Sequence, residues 1–498
     1  MPTPAHRLPE PSSPQPRGLR RWSWAVSLGL PLLLGACAST TPAQPDTALA
    51  IVPAQWSHAP SGAQGATATD IAGWWTRFQD AQLTALVDQA LQANTSVKAA
   101  QAAVRQARAL ADVQRAGLGP TVGASGSAQR SRTGGNDASH LFKAGFDAGW
   151  EPDFFGGNQA SADASAADAQ ASAASLADTR VSLAAEVAAG YINLRGLQNR
   201  LAVARANLDN QDETLQITRW RNQAGLASSL EVEQAISTTE QTRAQIPALQ
   251  TSVTQALNAL AVLTGHAPGQ WGTELATAAP VPPPPPDLAL AFPADTLRQR
   301  PDVRAAEQRV RAAVARIAVA DAARLPGFRL SGSLGLSALT LGSLTNSASL
   351  VQSLLASVSA TVFDGGAGRA QVRAQQAAME QALATFEGVA LAALQEVEDA
   401  LVAIQGDTER LQRLQAAADA AAQAERLARQ RYTSGLIDFA TVLTTQRTLL
   451  STQDSVAGAQ ASLSTDHVRL YKALGGGWKP DADGAVDDMA AAAPAVQP

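Results

Sequence analysis

The sequence predicts a mainly α-helical chain with a transmembrane β portion: an α-helical barrel of long coiled-coil helices, continued by an outer-membrane β-barrel that several chains share, four strands from each and twelve strands in the trimeric case. Three observations predict it. Two alanine-rich stretches, Ser161 to Gln223 and Arg369 to Thr433, run without a proline. Segments of strict apolar/polar alternation precede each of them. The whole arrangement occurs twice in the chain.

Composition sets the frame. The chain has 498 residues, 46% of them hydrophobic, which suffices for a large core. Lys and Arg number 38 against 43 Asp and Glu, a net charge of -5, so there is no basic surface for a phosphate backbone and nucleic acid is excluded as a partner. A single cysteine rules out a disulfide within the chain and a thiolate zinc site.

The N-terminus carries Arg7, Arg17, Arg20 and Arg21 ahead of an apolar run from Trp22 to Leu34. Charge, length and order are those of a secretory signal peptide over 1–36, and the run falls short of the ~20 residues a spanning helix needs. The signal closes Leu34-Gly35-Ala36-Cys37, which resembles a bacterial lipoprotein box. Cys37 is therefore the expected lipidation site, and an ordinary cleavage site would leave the position of the only cysteine unexplained. The residue after it is Ala38 and not the Asp that commonly marks inner-membrane retention in lipoproteins, which favours the outer membrane. Residues 37–69, rich in Pro, Ala and Thr, read as a lipidated tether, 280–289 as a proline-rich connector, and 479–498 as a disordered tail.

The connector separates two matching halves, 70–279 and 290–478. Asn94 to Ala100 aligns with Arg300 to Ala306 at an offset of 206, and Glu186-Val187, Gly196 and Arg221-x-x-x-Gly225-Leu226 align with Glu396-Val397, Gly406 and Arg431-x-x-x-Gly435-Leu436 at 210. Each half is one large supersecondary unit and not the short period of a solenoid. Within a half the order is helix, two strands, a very long helix, a tip loop and a helix, with tips at about 224–229 and 434–439. The long helices would each reach roughly 95 Å, far beyond a compact domain. Their Ala-dominated apolar positions, three and four apart, suit close antiparallel coiled-coil packing.

Strands are expected at about 120–152 and 326–363. Phe142, Ala144, Phe146, Ala148 and Trp150 share one face, opposite Lys143, Gly145, Asp147 and Gly149. In the second half Phe328, Leu330, Leu334 and Leu336 alternate with Arg329 and serines, and Leu354, Ala356, Val358, Ala360 and Val362 alternate with serines and Thr361. Apolar-out, polar-in strands of about ten residues mark an outer-membrane barrel, with Phe142, Phe146 and Trp150 toward lipid; a soluble sandwich shows the same alternation. A lipid-exposed sheet must close, and four strands cannot close on themselves. Two chains would make a filled barrel, three would make a conduit, and counting leaves four open.

These residues carry a family resemblance. The chain resembles the TolC-like outer-membrane factors of the NodT-like lipoprotein branch in Trp74-Trp75 with Phe78 and Asp80, Trp150 to Gly156 (WEPDFFG), Arg300-Pro301-Asp302-Val303, Phe363-Asp364-Gly365-Gly366, and Tyr471 to Trp478. It departs at Thr361-Val362, where the family often has a proline. The resemblance implies a homotrimeric, passive export duct in the outer membrane, projecting into the periplasm, working with a periplasmic adaptor and an inner-membrane pump. It implies that Arg221, Gly225, Leu226, Arg431, Gly435 and Leu436 form adaptor-docking tips. It also implies a ring of carboxylates just past the tips, for which Glu231, Glu233 and Asp438 are candidates. Glu231 is the reading preferred for the ring, facing the pore and favouring cations, and since residues at i and i+2 do not share a helix face, at most one of Glu231 and Glu233 does so.

No catalytic motif appears: there is no HExxH, Walker lysine loop or GxSxG, and Gly117 to Gly123 has the wrong spacing for a dinucleotide loop. His140, His266 and His467 are scattered, so no metal site and no cofactor beyond the lipid on Cys37 is expected. A periplasmic coiled-coil lipoprotein of structural role and a cell-wall hydrolase are the alternatives from other classes. The first would lack membrane strands, and the second lacks a carboxylate pair in a compact domain.

Overall fold

The computed structural model describes residues 52–59, 71–132, 134, 137–285, 288, 290 and 293–478. The signal peptide, Cys37 and the tail after 478 lie outside the described residues.

The duplication is written into the element lengths. The first half runs α1 (Ala81–Ala93), α2 (Thr95–Ala116), β1 (Thr121–Ser131), β2 (Ser139–Trp150), α3 (Gly157–Gln223) and α4 (Ser229–Leu263). The second runs α5 (Pro293–Gln299), α6 (Pro301–Ala322), β3 (Gly327–Ala338), β4 (Leu350–Ser359), α7 (Ala367–Thr433) and α8 (Phe439–Ala473). Helices α3 and α7 have 67 residues each and α4 and α8 have 35 each. At 1.5 Å per residue the longer pair measure about 100 Å.

Both long helices start slightly earlier than expected, for a local reason. Asp153 Oδ2 accepts from the Gln159 amide at 2.7 Å. Asp364 accepts from the Gly366 and Gly368 amides at 2.7 and 2.8 Å, and those bonds hold its carboxyl below the usual carboxylate range. Each carboxylate satisfies orphan amides of a first turn.

Two compact units result, one made of Gly117–Ser161 with Arg316–Val372, the other of the remaining described residues. The first holds a single antiparallel sheet in the order β1-β2-β3-β4. Its register puts Ala124, Phe146, Leu334 and Gln352 in one row and Gly123, Asp147, Ser333 and Ser353 in the next, so alternation is in phase across all four strands. One face gathers Phe142, Phe146, Trp150, Leu330, Leu334 and Leu354. The other is hydroxyl-rich and makes its own cross-strand bonds, Ser125 Oγ to Asp147 Oδ2 and Ser333 Oγ to Ser353 Oγ, both 2.7 Å. Gly145 and Gly335 oppose each other, and a Cβ on either would sit 2.7 Å from backbone atoms of the other strand, so neither position admits a side chain.

Strand β4 ends sooner than the alternation suggests. The ladder stops at Gly327↔Ser359 because Pro326, which has no N–H, precedes Gly327. Ala360 and Val362 therefore lie beyond the strand, and Val362 and Phe363 are 98% and 89% exposed.

The second unit is helical and holds the main core. Trp74, Phe78, Tyr191, Leu260, Leu470 and Tyr471 are fully buried there, with Trp74 stacked on Tyr471 at 5.5 Å. Part of the stretch expected to be tether belongs to this core. Trp56 is buried in it, the Ser57 amide donates to Glu398 Oε1 at 2.6 Å, and His58 Nδ1 lies 2.8 Å from Glu398 Oε2. Burying an indole contributes about 1.5–3 kcal/mol, enough to pin a segment whose composition reads as spacer.

Polar contacts link α3 to α8 at heptad spacing. Arg200 pairs in two bonds with Asp454, Asn207 donates to Gln453 at 2.7 Å, and Gln446 donates to Thr214 at 2.8 Å. A seven-residue recurrence on one face is the seam of a left-handed coiled coil. Gly196 lies on this seam, where an added Cβ would come within 2.8 Å of Ala461 Cβ. A Cβ added at its repeat counterpart Gly406 would meet nothing within 4 Å outside its own helix among the described residues.

Candidate functional site

The two tips are built by the same device. Helix α3 ends with the Leu226 amide donating to Arg221 O at 2.7 Å and the Gly225 amide to Asn222 O at 2.9 Å. Helix α7 ends with Leu436 donating to Arg431 O and Gly435 to Tyr432 O, both at 2.9 Å. Gly225 and Gly435 both have φ of 73°, the left-handed conformation that only glycine adopts without strain. This pair of reversed bonds is the Schellman termination. The repeated Gly is thus accounted for first by backbone closure, to which Arg221 and Arg431 give only their carbonyls, and the leucine side chain is left free for contact. Leu226 is 69% and Leu436 74% exposed.

The two arginines differ. Arg221 turns inward: its Nη1 donates to Tyr432 O at 3.0 Å and Thr433 O at 3.3 Å, and its guanidinium lies 4.6 Å from the centre of the Tyr432 ring. It caps the last carbonyls of α7 and ties one tip to the other. Arg431 is exposed and has no side-chain partner among the described residues. Beneath the tips, Tyr432 packs on Phe439 at 5.3 Å with Leu215, Val442 and Leu443 around them. Sequence reading missed Tyr432; the signal available was the break in the repeat, since Asn222 occupies the matching place in the first half.

The three candidate carboxylates also separate. Glu231 closes a capping box: its amide bonds to Ser228 Oγ and its Oε2 accepts from the Ser228 amide, both at 3.3 Å. Asp438 is the N-cap of α8, accepting from the Thr441 hydroxyl at 2.5 Å and the Thr441 amide at 2.9 Å. Those bonds hold its carboxyl below the usual range, so the cap is intact at neutral pH and is lost as pH falls through that lowered value. Glu233 is exposed and its carboxylate has no partner among the described residues.

In the sheet, Phe146 is 60% exposed between Ala124 and Leu334. Trp150 is 39% exposed and its Nε1 donates to Leu118 O at 3.0 Å, so its polar atom is satisfied while its rings stay on the apolar face. Phe142 pairs with Ala128 and Ala338 on the same face. Among the described residues of one chain, no strand lies beside the outer edges of β1 and β4.

Among the described residues, no group of three or more His, Cys, Asp or Glu could hold a metal, and no helix is long and apolar enough to cross a membrane. His467 is buried with Nδ1 3.0 Å from Leu463 O, and burial pushes its pKa down.

Comparison with known proteins agrees with this geometry. A family profile described as outer membrane efflux protein matches residues 86–266 and 292–476. The pyoverdine export outer membrane protein OpmQ of Pseudomonas aeruginosa is 35% identical over 471 residues, covering 91% of this chain and 96% of that protein. Nodulation protein T of Rhizobium leguminosarum is 32% identical over 455 residues, covering 90% and 92%. The solved structure of the outer-membrane channel OprN superposes with a TM-score of 0.79 at 35% identity, covering 82% of this chain and 93% of that one.

Proposed function

The chain belongs to the outer membrane efflux protein family, and from that premise we propose that three copies assemble into one duct, held at the outer membrane by the barrel and by a lipid on Cys37. As a member of that family it is the outer-membrane channel of an efflux system and not an enzyme. The single observation that supports a barrel shared between chains is the sheet: four in-phase strands with an apolar face and, among the described residues, two unpaired edges; three is the number of chains that the family resemblance implies. Edges in hydrocarbon must be paired, and twelve strands make a barrel with a water-filled centre.

Transport through such a duct is passive, and the driving force comes from an inner-membrane pump reached through a periplasmic adaptor. The adaptor seats on Leu226 and Leu436, which the two glycine-terminated turns present to solvent. Arg221, bonded to the α7 terminus, holds the two hairpins of a chain together at rest. Because the helix caps engage Glu231 and Asp438, the carboxylate left to line the tip is Glu233, one from each chain, where it favours cations.

Planar-bilayer recording tests this reading. The purified protein should form ion-conducting channels, and Glu233→Gln should reduce cation selectivity or divalent block more than Glu231→Gln. Unchanged selectivity and block in both variants would remove the carboxylate ring, and absence of channels would remove the duct.

Lipidation has its own test. Acyl chains contribute about 0.8 kcal/mol per buried CH₂, and stable anchoring takes more than one chain. Mass spectrometry of the mature N-terminus should show Cys37 diacylated or triacylated, and Cys37→Ser should lose that mass while the strands retain some membrane association. An unmodified Cys37 sinks the anchor.

A further inference from the structure

We propose that the hydroxyl-rich face of the sheet is an anion-preferring lining set by Lys143 and Arg329, suited to polar cargo bearing carboxylate, phosphate or sulfonate groups over lipophilic cations. The proposal rests on the barrel reading above, which turns this face to the lumen.

The register fixes what the face contains. Every partner pair joins odd with odd or even with even positions, so the odd-numbered residues of all four strands share one side. Lys143, Asp147 and Arg329 are the charged residues on that side within the strands; the rest is mainly serine and glycine, with Leu141, Val351 and Leu355 as its large aliphatic members. No aromatic ring lies there, so the lining offers hydrogen bonds and charge but nothing for a lipophilic solute to stack on.

The charges are not equally available. Asp147 accepts a hydrogen bond from Ser125 at 2.7 Å. Lys143 and Arg329 are exposed, and their side chains have no hydrogen bond or ion pair among the described residues. Glycine makes room for the arginine: a Cβ at Gly149 would be 3.7 Å from Arg329 Nη2, so the guanidinium extends across the ladder toward β2. Along β2 the level of Lys143 and that of Asp147 are separated by the Gly145–Gly335 pair. Asp147 in turn pairs with Ser333, four residues along β3 from Arg329. In a trimer this gives cationic, anionic and cationic rings in succession, with one net positive charge per chain. Rings of Lys and Arg select anions in pores.

Geometry decides when the rings matter. Twelve strands about 4.8 Å apart and tilted by about 40° enclose a radius of roughly 12 Å. The Debye length is about 30 Å at 0.01 M salt and about 3 Å at 1 M, so the rings act across the lumen in dilute salt and are screened in concentrated salt.

The test uses full-length protein carrying E231Q and E233Q, which silences the tip, in planar bilayers under a tenfold KCl gradient. The chloride-to-potassium permeability ratio should exceed one at low salt and approach one at about 1 M. Adding K143Q and R329Q should lower the low-salt ratio about twofold or more, to below one, because Asp147 then stands alone; D147N should raise it. Channels of normal conductance whose ratio ignores K143Q/R329Q overturn the lining while leaving the barrel intact. Failure of the E231Q/E233Q protein and of the wild type to form any channel overturns the barrel reading, and this proposal with it.

Discussion

Phe146→Arg is expected to abolish assembly in the membrane while Asp147→Arg is tolerated, although the two residues are adjacent. Phe146 is 60% exposed in a single chain and sits in an apolar row with Ala124 and Leu334. An arginine facing lipid costs about 2–4 kcal/mol near the midplane, and each assembly would carry three. Asp147 faces the serine row, where water solvates a guanidinium and the loss is limited to the bond from Ser125. Oligomer yield from membranes, read on a native gel, distinguishes the two. Equal tolerance, or greater damage from Asp147→Arg, would mean that the faces are reversed.

Leu226→Asp combined with Leu436→Asp is expected to eliminate export without affecting folding. Both leucines lie at the C″ position of their turns, more than two-thirds exposed, and contribute only their backbone amides to the termination. A carboxylate there removes no internal packing but places a charge where an apolar partner surface would have to desolvate it. Survival of cells on an exported toxic compound should fall to that of a deletion strain, at normal channel abundance in the outer membrane. Survival equal to wild type would end the docking role of the tips.

Much of this was legible in the sequence because it depends on local pattern. Period-two alternation identified which strand residues share a face, and absence of proline over more than sixty residues could only mean a helix of exceptional length. Most of what sequence reading missed involves partners far apart in the chain. Arg221 matches Arg431 letter for letter, yet one reaches Tyr432 and the other faces solvent, because the first half has Asn222 where the second has Tyr432. Glu231 is the exception, a local pattern overlooked: Ser228, three residues before it, completes the S-x-x-E capping box. Trp56 sits in a spacer-like composition, and its neighbours Ser57 and His58 are held by Glu398, far along the chain. The end of β4 depends on Pro326 in its neighbour and not on β4's own residues.

Gly406 gives the most direct measurement of the central claim, that identical chains complete one another. Its repeat counterpart Gly196 lies against Ala461, and the same offset carries Ala461 to Thr251 on α4. Among the described residues of one chain, a Cβ at Gly406 would meet nothing within 4 Å outside its own helix and Thr251 is exposed, so the missing contact should come from α4 of a neighbouring copy. An added Cβ at the counterpart contact comes to 2.8 Å, so a small widening brings such a pair to the ~3.5–4.5 Å Cβ separation that a disulfide bridges. Gly406→Cys with Thr251→Cys, introduced together, should give on mild oxidation in membranes a covalent ladder ending at three chains, absent from either single variant and reversed by reductant. A double variant that stays entirely monomeric after oxidation, or whose ladder ends at two or four chains, would contradict the trimeric duct.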